Sequence, residues 1–124
     1  MGDSKIKSYR DLRVWQEAVN LAEVCYRLTT TFPKEELYGM TTQIRQIPVS
    51  VAVKIAQGWY GGKTRREYIH SLHLAQGSLK ELETHLLISQ RVELASCINI
   101  NPILNQCELV GKLLQALIHA LEQN

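Results

Sequence analysis

Apolar residues recur along this chain at steps of three and four, and no stretch keeps the alternation of a half-buried strand. The clearest run is Tyr68, Leu72, Ala75, Leu79, Leu82 and Leu86. It lines one face of a helix of roughly 25 residues and about 40 Å, placed at 65–91. Its start is marked too, because Thr64-Arg65-Arg66-Glu67 has the Thr-x-x-Glu spacing of a capping box, which predicts Thr64 as the N-cap. Just before it, Gly58, Gly61 and Gly62 offer positive-φ positions that are expected to end the preceding helix and reverse the chain.

Three further helices follow from the same period. The first is expected over 11–30, started by Ser8 or Asp11 and ended by Thr29-Thr30-Thr31-Phe32-Pro33, with Phe32 plugging the end of the core. It carries two apolar stripes side by side, Leu12-Trp15-Val19-Ala22-Tyr26 and Val14-Ala18-Leu21-Cys25-Leu28. Together they span roughly 200°, where a helix in an isolated bundle needs somewhat more than about 100°. The second helix, over 40–57, buries Met40, Ile44, Ile47, Val51 and Ile55 and is expected to kink rather than stop at Pro48. Asn101-Pro102 predicts the start of the fourth, over 102–121, which is again apolar around more than half its surface. Gly77, inside the third helix, invites a close approach by another helix. The excess on the first and fourth helices points to self-association, and Val14, Leu21, Leu28, Leu109, Leu113 and Leu117 are assigned to that interface. Periodicity alone leaves open which stripe faces the core and which a neighbour.

Composition narrows the class. A chain of 124 residues, 45% hydrophobic and 21% charged, makes one ordinary domain spanning 1–124. Its 14 basic and 12 acidic residues give a net charge of +2, too small to demonstrate a polyanion partner by itself. No apolar run approaches the roughly 20 residues of a membrane span, and no signal pattern opens the chain, so a cytoplasmic location and no membrane partner are expected. Cys25, Cys97 and Cys107 form no metal-type pair and are expected as buried thiols.

Residues spread along the chain in a definite order carry a family resemblance: Tyr9, Asp11-Leu12, Val14-Trp15-Gln16, Phe32-Pro33, Gln43-Ile44-Arg45, Ser50, Ile55-Ala56, Gly58, Tyr68, Ala75-Gln76-Gly77-Ser78 and Glu81-Leu82-Glu83. In these the chain resembles the small four helix bundle proteins encoded by intervening sequences of bacterial 23S ribosomal RNA genes, also labelled S23 ribosomal proteins. It departs from their pattern at Gln57, where they usually carry an acid, at Lys54 in place of Asn, and at Pro48, which precedes Ser50 instead of following it. Lys54 and Gln57 make the turn more basic. The resemblance implies an all-α, antiparallel four-helix bundle that assembles as a ring-like homo-oligomer, a pentamer. It also implies kinship with the accessory proteins of diversity-generating retroelements, which bind nucleic acid and a reverse transcriptase.

Catalytic chemistry is sparse. Glu67 and His70 have the Glu-x-x-His spacing of four-helix di-iron proteins, but that architecture needs a second such pair and the chain has none. No nucleophile elbow or phosphate loop occurs, so no enzyme activity, metal or cofactor is expected. The basic residues are more informative. No acid stands between Glu36 and Glu67, an interval that holds Arg45, Lys54, Lys63, Arg65 and Arg66 with Trp59 and Tyr60. Cations displace counterions from phosphates and aromatic rings stack on unpaired bases, so these seven residues are the candidate contact to RNA or other nucleic acid. The alternative is a protein–protein interaction module: Arg45 and Lys54 stand about 180° apart on a helical wheel, and the charges equally suit a solvated turn.

Overall fold

The computed structural model describes residues 6–123. The helical period is realised as four α-helices, α1 (Arg13–Thr29), α2 (Thr42–Trp59), α3 (Arg65–Arg91) and α4 (Cys97–Glu122), with no strand among the described residues. α1 packs on α2, α2 on α3, α3 on α4, and α4 back on α1. One core runs through all four.

Each helix end has a local cause. A 3₁₀ turn, Tyr9–Asp11, precedes α1, and Ser8 with Asp11 forms its capping box. At the far end of α1 three threonine hydroxyls donate back to its last carbonyls, Thr29 to Cys25 at 2.9 Å, Thr30 to Arg27 at 2.7 Å and Thr31 to Leu28 at 2.9 Å. This gives the end of the helix side-chain partners. Phe32 is buried behind them, as its place after the threonines predicts. A 3₁₀ turn, Lys34–Glu36, and a π turn, Leu37–Thr41, lead into α2, which continues through the buried Pro48. α3 ends in a Schellman-type turn: the Leu94 amide donates to the Ser89 carbonyl at 2.8 Å and the Glu93 amide to Gln90 at 3.1 Å. Glu93 takes the left-handed conformation, φ 67°, that glycine usually supplies there.

Two expectations about the helices need correction. α4 starts at Cys97 behind an extended Ser96, and Pro102 lies inside it. The lost N–H falls in the second turn, while the earlier start carries Ile100 to full burial beside Ile103. The core stripe of α1 is Val14-Ala18-Leu21-Cys25-Leu28. Val14, Leu21 and Leu28 are therefore committed inside the chain and are not available to a neighbour. Leu113 and Leu117 are half-buried against the same core, and Leu109 is half-buried. Exposed apolar residues of the helices include Val19 and Tyr26 on α1, Val49 and Val53 on α2, Leu74, Leu87 and Ile88 on α3, and Ile98 at the start of α4. Gly77 meets no other helix of the chain, because a Cβ built there would find nothing within 4 Å. No described helix is long and apolar enough to cross a membrane.

Candidate nucleic-acid interface

The turn between α2 and α3 is shaped by a steric fit and a cap. α2 does not stop at Gly58 but runs on to Trp59. Gly58 is there for space: a Cβ on it would lie 1.9 Å from the ring of Tyr68, whose hydroxyl donates to the Ile55 carbonyl at 2.9 Å. Burial pushes the Tyr68 phenol up to about 12. The reversal itself falls on Gly61, φ +97°. Thr64 then caps α3 as its spacing predicts, its hydroxyl accepting from the Glu67 amide at 3.1 Å while the Glu67 carboxylate accepts from the Thr64 amide at 2.9 Å.

That cap also settles the local charge balance. The backbone N–H of Thr64, then its hydroxyl, and also Lys63 nearby, hold the Glu67 carboxyl below its ordinary range. The acid is thus an anion tied to backbone. Asp11 is tied in the same way, accepting from the amides of Lys7 at 2.9 Å and Ser8 at 3.1 Å. Among the described residues the ion pairs are Arg13–Glu17, Arg27–Glu23, Lys80–Glu83 and His85–Glu81. None of them takes in Lys63, Arg65, Arg66 or Arg10. These four cations are exposed.

The N-terminal turn stands beside the α2–α3 turn, and a cleft of about 460 Å³ between them is lined by Tyr9, Ala56, Gln57, Tyr60, Gly62 and Lys63. Tyr9 is set by Trp15, edge to face with ring centroids 5.2 Å apart, and the Arg10 guanidinium lies 5.6 Å from the Tyr9 centroid. The side chain of Gln16 donates to the Arg10 carbonyl at 2.8 Å and pins this turn to α1. Tyr60 is 85% exposed and Trp59 37% exposed.

Of the seven candidate contacts, the turn gathers Tyr60, Lys63, Arg65 and Arg66, with Trp59 at its edge. Arg45 stands apart. It lies near the other end of α2, its Nε donating to the Thr29 hydroxyl at 2.7 Å and its guanidinium 4.8 Å from the Tyr26 ring centroid. Lys54 is half-buried along α2, with its ammonium on the Ser50 hydroxyl at 2.6 Å. Sequence reasoning missed Tyr9, Arg10 and Gln57 as members of this surface. An aromatic next to a cation at Tyr9-Arg10 was the available signal, but only the fold brings it beside Tyr60.

Other candidate chemistry disperses. Glu67 is engaged by the cap and His70 is exposed, and among the described residues no group of three or more His, Cys, Asp or Glu could hold a metal. Cys25 and Cys107 are buried and pushed up to about 12, mainly by that burial. Cys97, at the start of α4, is exposed instead of buried as expected. A groove of about 480 Å³ between α3 and α4 mixes Lys80 and Lys112 with Glu83 and Glu108, so it has no preference for an anion.

The family model described as 23S rRNA-intervening sequence protein matches residues 10–116. The chain belongs to this family. The match reaches from Arg10, in the N-terminal turn, through the whole α2–α3 turn and into the last third of α4. Membership of the 23S rRNA-intervening sequence family therefore covers the basic surface as well as the helical core. No curated relative matches the chain.

Proposed function

We propose that this protein is a non-catalytic, oligomeric scaffold that contacts RNA or other nucleic acid through the surface made by the α2–α3 turn and the N-terminal turn. The observation that carries this reading is the charge balance there. Arg10, Lys63, Arg65 and Arg66 have no ion-pair partner among the described residues, the adjacent acids Asp11 and Glu67 are bound to backbone amides, and Tyr60 stands open beside them. Such a surface attracts a phosphate backbone although the chain is nearly neutral. The family description, with its reference to 23S rRNA, supports an RNA connection.

The helices are read as an antiparallel bundle, from the short connections and from contacts such as Ile55 with Tyr68 and Glu17 with Gln106. The assembly is read as a cytoplasmic ring, most simply a pentamer as the resemblance implies. A ring contact needs two different surfaces, and the exposed apolar residues that support this reading are the α1–α2 strip around Val19, Val49 and Val53 and, spread along α3, Leu74, Leu87 and Ile88. These take the place of Val14, Leu21 and Leu28.

Titration of the protein with labelled single-stranded RNA over a salt series tests the central reading. Binding is expected to weaken steeply with salt, and the triple variant Lys63→Gln, Arg65→Gln, Arg66→Gln is expected to bind less tightly with a slope flatter by about 2 to 3. Unchanged affinity and slope in the triple variant overturn the reading. A protein-interaction module without a nucleic-acid role predicts no salt-dependent binding in either protein.

A further inference from the structure

We infer that the cleft between the N-terminal turn and the α2–α3 turn is a seat for one unpaired nucleobase, so that the protein prefers unpaired nucleic acid to duplex. This rests on the nucleic-acid reading and adds to it a chemical class of ligand and a set of residues. The cleft has the size of a small-molecule site, about 460 Å³. It shares Tyr9 and Ala56 with the apolar groove between α1 and α2, and differs from that groove in adding Tyr60 and the polar groups of Gln57 and Lys63. Tyr60 and Tyr9 are its aromatic lining, Ala56 its apolar contribution, and Gln57 and Lys63 its polar groups.

Several features favour a flat ring as occupant. Tyr60 is 85% exposed at the end of α2. Gly62 adjoins the ring: a Cβ there would come to 3.9 Å from Tyr60 Cδ2, so a branched side chain at this position would crowd the ring that glycine leaves open. Tyr9 is held in orientation by Trp15 and by the Ser8–Asp11 cap. Base–aromatic stacking tolerates any base, since each has a π face. The Gln57 amide offers a donor and an acceptor to a base edge, Lys63 lines the cleft, and the Arg10 guanidinium lies 5.6 Å from the Tyr9 ring centroid, so cations are at hand for the flanking phosphates. In a duplex the base faces are stacked on one another, so only phosphates, sugars and base edges are presented and no face is free to stack on a tyrosine. The cleft therefore separates paired from unpaired strands, while the cations bind both.

The test compares one short labelled RNA, single-stranded and annealed to its complement, against the intact protein and the variants Tyr60→Ala, Tyr60→Phe, Gly62→Val and the Lys63, Arg65, Arg66 triple. Tyr60→Ala and Gly62→Val are expected to weaken single-strand binding by about tenfold, with duplex binding unchanged, and Tyr60→Phe to restore it, because a phenyl ring still stacks. The triple variant is expected to weaken both. Equal affinity for single strand and duplex, or a Tyr60→Ala variant that binds single strands like the parent, overturns the base seat and leaves the electrostatic reading standing. Indifference of both ligands to the triple variant, or no binding at all, overturns both. Circular dichroism of each variant shows whether the helices are kept, and loss of binding to both ligands in Gly62→Val alone counts against the seat.

Discussion

Gly58 shows how a single residue can serve a purpose that its identity does not announce. In the sequence it stands with Gly61 and Gly62 and looks like a chain reversal. Only Gly61 takes that role; Gly58 lies inside α2 and makes room for the Tyr68 ring. A glycine's φ and its clearance from another helix leave the same letter in the sequence, so only the packed structure separates them. Replacing Gly58 with Ala forces the ring or the helix to move and is expected to cost about 1–3 kcal/mol in urea denaturation, with Tyr68 partly released from Ile55. A change below about 0.5 kcal/mol would show that the ring gives way freely. The buried thiols make a second expectation. Cys25 and Cys107 are raised from 9.0 to about 12, and Tyr68 from 10.0 to about 12. The folded chain keeps protons that the unfolded chain releases, so stability is complete below about pH 9 and falls as pH rises toward 12. Thermal melts between those limits should show the fall, and it should be shallower in the double variant Cys25→Ala, Cys107→Ala. An equal slope in both proteins would remove the thiols from the explanation.

The helices themselves were the most legible part of the chain. The α3 stripe from Tyr68 to Leu86 is buried at every position read from its period, and its Thr-x-x-Glu cap forms as spaced. Both signals are local, and both act within one helix. The α3–α4 connection departs from the sequence expectation because a local rule meets a tertiary one. Asn101-Pro102 has the form of a helix start, yet burying Ile100 and Ile103 against the core outweighs one missing N–H in the second turn. The reversal at Glu93 was also hidden, since glycine is the residue that usually signals a left-handed turn. If α4 begins at Cys97, Ile100 is a core residue, and Ile100→Ala should destabilise the protein by about 2–5 kcal/mol. An effect within about 0.5 kcal/mol, as for an exposed loop residue, would restore the later start.

At the scale of the molecule the sequence showed surplus apolar surface but not its location. Two adjacent stripes on α1 are equivalent by period, and only contact with α2 and α4 decides that Val14, Leu21 and Leu28 go inward. On the proposed assembly the outward residues Val19, Val49 and Val53 are the ones expected to meet a neighbouring subunit. Light scattering should give a mass several times the 14.1 kDa of the chain, and Val49→Glu with Val53→Glu should reduce it while the helices persist. A monomer mass in the unmodified protein at micromolar concentration would contradict self-association. The candidate surface was legible only in part for a related reason. Lys63, Arg65 and Arg66 adjoin one another in sequence, whereas Tyr9 and Arg10 join them through the fold, and Arg45 leaves them to pair with α1.

The measurement that tests this surface most directly is photo-cross-linking to RNA carrying a photoreactive uridine, with the adducts located by mass spectrometry. Adducts are expected on peptides containing Tyr9 and Arg10 and on those from Gln57 to Arg66, and competition by unlabelled RNA should suppress them. Adducts confined to the outer face of α3, to α4, or to the Arg45 end of α2 would contradict the account.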